Sequence, residues 1–399
     1  MPTASSAKSM RSRLTILVFM LLLCTCASTQ QYHYNLKFRL SPKNFADTIS
    51  IEVENGRIYL PVTIDGETYR FLLDTGASMG GIYAGSSIQG IETVGTIASH
   101  DATGQSRSTD VVRLPDLQIG CLTISGYHAN RLLPPPTSRL QPRPEGVIGF
   151  DIFRKGLLCK IDVENRRLIL TDRKNHFRQE QGYETRYRLH RHIPFVTLSP
   201  FEGYSHEARF DTGDRSLYAI SKQDYGKVER GRWNVEGQTV GSLRISHFGA
   251  ESTDTVTALC IDSLRWGNFT FQNVHTLTAQ GPSAIGSAIL DYGSVIINPR
   301  RSRLIFQPYD SGSQCIVDNH LPDIYYIPNA QGLPTVGLVW ENSEPYRQGF
   351  RQGDVILQID NTPINSVGEY IRYPFIANQT YTITVRDKRG ETRLIKLSK

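Results

Sequence analysis

The tripeptide Asp-Thr-Gly occurs twice, as Asp74-Thr75-Gly76 and Asp211-Thr212-Gly213, and each copy ends an apolar run (Phe71-Leu72-Leu73 and Ala208-Arg209-Phe210). A single copy would pass as a strand-ending turn, a common use of Asp and Gly. Two copies carry more, because each is followed by two apolar residues and a glycine, Val147-Ile148-Gly149 and Ala284-Ile285-Gly286. The aspartates are 137 positions apart, and so are Gly149 and Gly286. Between these anchors Ser99-His100 echoes Ser246-His247 at an offset of 147, so insertions fall in loops. The economical reading is a duplicated unit, and it obliges the chain to bring two aspartates to equivalent places.

The unit is built from short strands. Ile58–Ile64 and Thr68–Leu73 flank Asp65-Gly66, a strong hairpin signal. The second copy repeats the order with His192–Leu198, a Glu202-Gly203 turn and Ala208–Asp211. Leu114–Gly120 is matched by Cys260–Gly267, and Leu157–Asp162 with Arg166–Leu170 by Ser294–Asn298 with Arg301–Phe306. Helical periodicity is scarce. The expected divisions are a linker or N-terminal strand at 27–50, a first unit at 51–172, a charged linker at 173–188 and a second unit at 189–310. An α+β module at 317–399 follows, where Gly353–Leu357 and the closing runs Tyr381–Val385 and Thr392–Leu397 differ in texture.

With 39% hydrophobic and 21% charged residues, the 399-residue chain belongs with folded globular proteins. The net charge of +6 comes without a Lys/Arg block interleaved with aromatics, so nucleic acid is not an expected partner. Lys8, Arg11 and Arg13 precede the apolar run Leu14–Leu23, which reads as an export signal over 1–26. Leu23-Cys24-Thr25-Cys26-Ala27-Ser28 resembles a bacterial lipobox, with Cys26 preferred to Cys24 as the lipidated residue. Plain signal cleavage after Ala27 fits as well. Either way the chain is expected outside the cytoplasm, in the periplasm or cell envelope, with a lipid anchor to a membrane in the first reading. Cys121, Cys159, Cys260 and Cys315 are compatible with disulfides or free thiols. No closely spaced Cys/His ligand set is present, so no metal site is expected.

An apolar strand into Asp-Thr-Gly-Ala-Ser, followed some seventy residues on by apolar-apolar-Gly, resembles the aspartic protease superfamily, and Ala77 is closest to its retroviral-type members. The likeness covers about 50–310, in two copies. It implies a mainly β fold of two retropepsin-like β-barrel lobes forming a bilobal aspartic protease. Asp74 and Asp211 would be the catalytic dyad, two carboxylates sharing one proton and activating a water against a peptide carbonyl. No metal, cofactor or covalent intermediate is needed. Thr75 and Thr212 would hydrogen-bond across to the opposite loop, Gly76 and Gly213 would permit the sharp turns, and Gly149 and Gly286 would pack beneath. Asp214 departs from the pattern: pointing inward it would be a third carboxylate raising the dyad's pKa values.

The hairpins at Ser99–Gly104 and Ser246–Ala250 stand where the superfamily has its flap, and Pro134–Pro144 reads as a stiff surface loop. Ser343-Glu344-Pro345, Gly349 and Gly353–Leu357 resemble a bacterial-type PDZ domain, a small α+β fold that captures peptide C-termini by strand addition. Its carboxylate loop is expected near Leu333–Gly337. The expected activity is thus an aspartic endopeptidase acting on peptide or protein substrate. The rival is a peptide-binding lipoprotein that keeps the fold without hydrolysis.

Overall fold

The computed structural model describes residues 30–101, 105–133, 144–243, 245–246 and 249–398. The expected export signal with Cys24 and Cys26, the Pro-rich stretch 134–143, and Ala102, Thr103, Gly104, His247 and Phe248 of the expected flap hairpins lie outside them. The described chain is mainly β, with only short helical turns such as Asp151–Arg154, Lys222–Gly226 and Val367–Ile371.

The duplicated text folds as a duplicated topology. Arg57–Ile64 and Glu67–Leu73 form the expected hairpin, with Asp65 and Gly66 both at positive φ. Gly146–Ile148 then runs parallel to Glu67–Leu73, pairing Leu73 with Ile148. In the second copy Ile193–Phe201 pairs with Tyr204–Asp211, and Ala284–Gly286 runs parallel to it, pairing Phe210 with Ile285. Both registers agree with the 137-residue offset.

The two copies differ in closure. In the second, Leu198 pairs with Trp266 across the path of the sheet, which closes the strands into a barrel. The corresponding circuit of the first copy is interrupted between Leu122–Ser125 and His128–Leu132, where Gly126 turns the chain at φ +70°. Its eleven-stranded sheet stays open.

A shared set of strands joins the copies. Ala46–Ser50, Arg167–Thr171, Leu158–Asp162, Gly293–Asn298, Arg303–Pro308 and Tyr183–His190 lie side by side in one sheet. Charge over 173–188 suggests a linker, yet from Tyr183 the chain is a strand. Buried Thr185 and Tyr187 alternate with exposed Glu184, Arg186 and Arg188, the period of two that a half-covered strand requires. One apolar cluster runs through both copies, from Leu60, Phe71 and Ile148 to Phe210, Trp266 and Phe306.

Residues from Ile324 build a separate six-stranded sheet on its own core of Val336, Phe350, Ile356, Ile383 and Val385. Ser343 and Ser366 cap its two short helices, each accepting from a backbone N–H three residues on. Pro334–Val339 lies between Ile324–Pro328 and Val355–Ile359, so the Leu333–Gly337 stretch is an interior strand and the loop before it. Its two edge strands are Ile324–Pro328 and Thr392–Ser398. Gly337 instead accepts a hydrogen bond from Ser242 N–H at 2.9 Å, tying this sheet to the end of the strand Asn234–Gly241.

Candidate active site

Each Asp-Thr-Gly loop is fixed by the same set of hydrogen bonds. Asp74 N–H donates to Ile148 at 3.0 Å, and Ala77 N–H closes the turn on Asp74 at 3.2 Å. Asp214 N–H closes on Asp211 at 3.1 Å. Phe150 N–H donates to Ala77 at 2.8 Å, and Ser287 N–H to Asp214 at 2.7 Å. Gly76 N–H donates to Asp74 Oδ1 at 2.9 Å, and Gly213 N–H to Asp211 Oδ1 at 3.0 Å. Gly149 and Gly286 pack under these turns as expected. A Cβ on Gly149 would stand 2.7 Å from the Met79 carbonyl carbon, and one on Gly286 2.3 Å from the Ser216 carbonyl oxygen.

The loops are then locked to each other. Thr75 N–H donates to Thr212 Oγ1 at 3.0 Å, and Thr212 N–H donates to Thr75 Oγ1 at 3.0 Å. The hydroxyls pass their own protons on, Thr75 to the Phe210 carbonyl at 2.9 Å and Thr212 to the Leu73 carbonyl at 2.7 Å. Both threonines are fully buried, so the four bonds face no competition from water. The interlock sets each aspartate against the opposite glycine. A Cβ on Gly76 would fall 2.3 Å from the Asp211 carboxyl carbon, and one on Gly213 2.7 Å from that of Asp74. Glycine is needed here for close approach rather than for an unusual φ.

The two carboxyls therefore share one small volume, each against the opposite glycine. Burial, reinforced by the Asp211 charge, pushes the Asp74 carboxyl up to about 8. Arg209 and Gly76 N–H oppose the rise without cancelling it.

Arg209 is the residue that sequence reading missed. It lies two positions before Asp211 on the same strand, hence on the same face. Its counterpart in the first copy is Leu72. Nη2 of Arg209 lies 2.7 Å from Asp211 Oδ2, with both side chains under a tenth exposed. The contact is a charge pair with the N–H axis off line, since neither Nε nor Nη2 has an aligned hydrogen-bond acceptor. Burial works against the Arg209 charge, but Asp211, Asp214 and Asp74 together raise its pKa. A strand position facing the same way as Asp211 was the available signal.

Asp214 turns into its own loop. Its Oδ1 accepts from Ser216 N–H at 2.9 Å and from the Ser216 hydroxyl at 2.7 Å. Its charge supports Arg209. The first copy carries the hairpin Glu92–His100 with Ser106–Arg113, and the second the pair Asn234–Gly241 with Asp254–Trp266. His100 is exposed at the hairpin end.

An aspartyl protease family model matches residues 60–152, which include the first Asp-Thr-Gly loop and Gly149. No curated protein matches the chain. Among solved structures, the aspartic proteinase from Irpex lacteus has 13% identity at a TM-score of 0.42, over 66% of this chain and 97% of its own. Basic 7S globulin from soybean has 10% identity at a TM-score of 0.41, over 67% of this chain and 95% of its own. Carried by the match over residues 60–152, the conclusion is that the chain has an aspartic-protease-like fold.

Proposed function

We propose that this chain is an aspartic endopeptidase in which Asp74 and Asp211 activate a water. The observation that supports it best is the reciprocal threonine interlock, which brings the two carboxyls together, each against the opposite loop's glycine. The Arg209 guanidinium lies 2.7 Å from the Asp211 carboxyl, and burial favours the protonated form of Asp74. Asp211 then takes a proton from the water as its oxygen bonds to the peptide carbonyl carbon, while Asp74 protonates the carbonyl oxygen. The C–N bond of the tetrahedral intermediate breaks as the carboxyl at Asp211 returns its proton to the leaving amine. Asp74 recovers its own from the hydroxyl, and the dyad ends as it began. Thr75, Thr212, Gly76 and Gly213 serve the dyad by holding it.

The substrate is an extended peptide lying between the loops and the two hairpins, within protease lobes at 51–172 and 189–310. Residues 317–399 act as a PDZ-like unit, for which Ile324–Pro328 offers an unpaired edge of the kind strand addition needs. The chain works outside the cytoplasm, anchored through lipid on Cys26.

Arg209 also favours a second reading, a binding protein without hydrolysis, because it occupies the Oδ2 side of Asp211. One experiment separates them. The chain lacking its signal region is incubated with an unfolded protein from acid to neutral pH, alongside Asp74→Asn and Asp211→Asn. Endopeptidase action predicts cleavage that each variant lowers by at least about 10²-fold, and that a pepstatin-like mimic blocks. Peptide binding with no wild-type cleavage would establish the second reading.

A further inference from the structure

Away from the dyad, three neighbouring strands of the second copy bring unlike ligand atoms together. Cys260, on Asp254–Trp266, pairs directly with His275, on Phe269–Ala279. The third strand, Asn234–Gly241, slips in register there: Val235 pairs with Leu259 and Gly237 with Ala258, so Glu236 is the extra residue of a bulge. Bulges re-aim side chains, and the Glu236 carboxylate meets His275 Nδ1 at 2.9 Å. The Cys260 sulfur, a His275 ring nitrogen and a Glu236 oxygen all lie within 4.8 Å of one another.

A fourth donor arrives on the segment leading to the C-terminal sheet. Beyond Gln314–Ile316, Val317 N–H donates to the Gln272 carbonyl at 2.8 Å. The Asn319 side chain then clamps the backbone of His275 from both sides. Its Oδ1 accepts from His275 N–H at 3.0 Å, and its Nδ2 donates to the His275 carbonyl at 2.7 Å. This holds the next residue, His320, with its ring centred 6.3 Å from that of His275. His320 is largely exposed, with its Nε2 3.2 Å from the exposed Asp318 carboxylate.

We propose that Glu236, Cys260 and His275 bind a divalent cation of the zinc class, with His320 completing a four-ligand set. One thiolate, two imidazoles and one carboxylate make a donor set that suits zinc and excludes calcium or magnesium, which take oxygen ligands. Binding forms the metal–sulfur bond as the Cys260 thiol gives its proton to solvent. Spacing in the sequence hides the set, because its members come from three strands and a connecting segment. The bound ion would staple residues 317–320 to the second copy.

The test uses the chain without its signal region, purified and loaded with zinc or cobalt. Elemental analysis after dialysis should find about one ion per chain, and the cobalt form should carry a thiolate-to-cobalt charge-transfer band. Cys260→Ser should abolish the band, and His275→Ala should abolish retention. His320→Ala should weaken affinity, and Asn319→Ala should do so by roughly 10–100-fold through loss of an orienting contact. Glu236→Gln, at an exposed position, should lower affinity without disturbing the fold by circular dichroism. Wild-type chain that retains no ion, or retention and spectrum unchanged in Cys260→Ser and His275→Ala, overturns the site. None of these readouts depends on proteolysis.

Discussion

At the scale of single residues, one arginine makes the surroundings of the two carboxyls unlike. Leu72 and Arg209 occupy equivalent places, so an otherwise repeated site is electrically lopsided. With Asp74 raised to about 8, the singly protonated dyad persists toward neutral pH, and cleavage should hold up there before declining as pH passes about 8. Arg209→Leu copies the first loop into the second. Arg209 holds the Asp74 pKa down, so without the guanidinium the basic limb of the kcat/KM profile should move to higher pH. A gain of activity from no measurable wild-type rate would instead mean that Arg209 silences the site. Stability carries the same signature. A carboxyl whose pKa is higher folded than unfolded binds more protons in the folded state between the two values, so its contribution falls as pH rises from about 4 to about 8. Asp74→Asn cannot ionise, and its thermal midpoint relative to wild type should therefore climb across that window. A flat difference would mean that Asp74 titrates normally.

Among the loops and strands, what the sequence made legible was whatever repeats. Both Asp-Thr-Gly turns, both hairpins and both underlying glycines could be read because two copies confirm each other's register. Less was legible where the copies diverge. Tyr183–His190 hid its alternation under surface charge, and Gly126, where the first ladder opens, has as its counterpart Asn273, which also takes a positive φ but inside the unbroken strand Phe269–Ala279. Arg209 was masked because it replaces an apolar residue in a run that otherwise reads as core. The threonine interlock tests the part that was legible. Thr212→Val keeps shape but leaves the Thr75 N–H without its acceptor and the Leu73 carbonyl without that donor, inside a fully buried site. Each orphaned group costs about 1–3 kcal/mol. Urea unfolding should show a loss of that order, with kcat falling further than KM rises because the carboxyls lose their spacing. Thr212→Ser retains the oxygen and should recover most of both; a serine variant as impaired as valine would assign the effect to packing.

Across the whole molecule, the C-terminal sheet has its own core yet meets the second copy through a backbone contact that leaves no room for a side chain. A Cβ on Gly337 would fall 2.3 Å from the Ser242 carbonyl oxygen, and one on Gly241 2.6 Å from Leu338 Cβ. Two strands from different cores therefore pass at glycine-only distance beside the hydrogen bond from Ser242 to Gly337. Because Val336, Phe350 and Ile383 are buried within the C-terminal sheet itself, undocking it need not unfold it. Gly337→Ala should push the two apart while sparing both cores. Hydrogen exchange should quicken at Ser242 and along Asn234–Gly241, and protease should cut more readily in the connecting stretch before Ile324. Amides of Thr380–Arg386 and Thr392–Ser398, paired with each other inside the C-terminal sheet, should keep their protection. Loss of protection in those two strands as well would mean that the sheet depends on docking for its stability, and that the two cores fold as one cooperative unit.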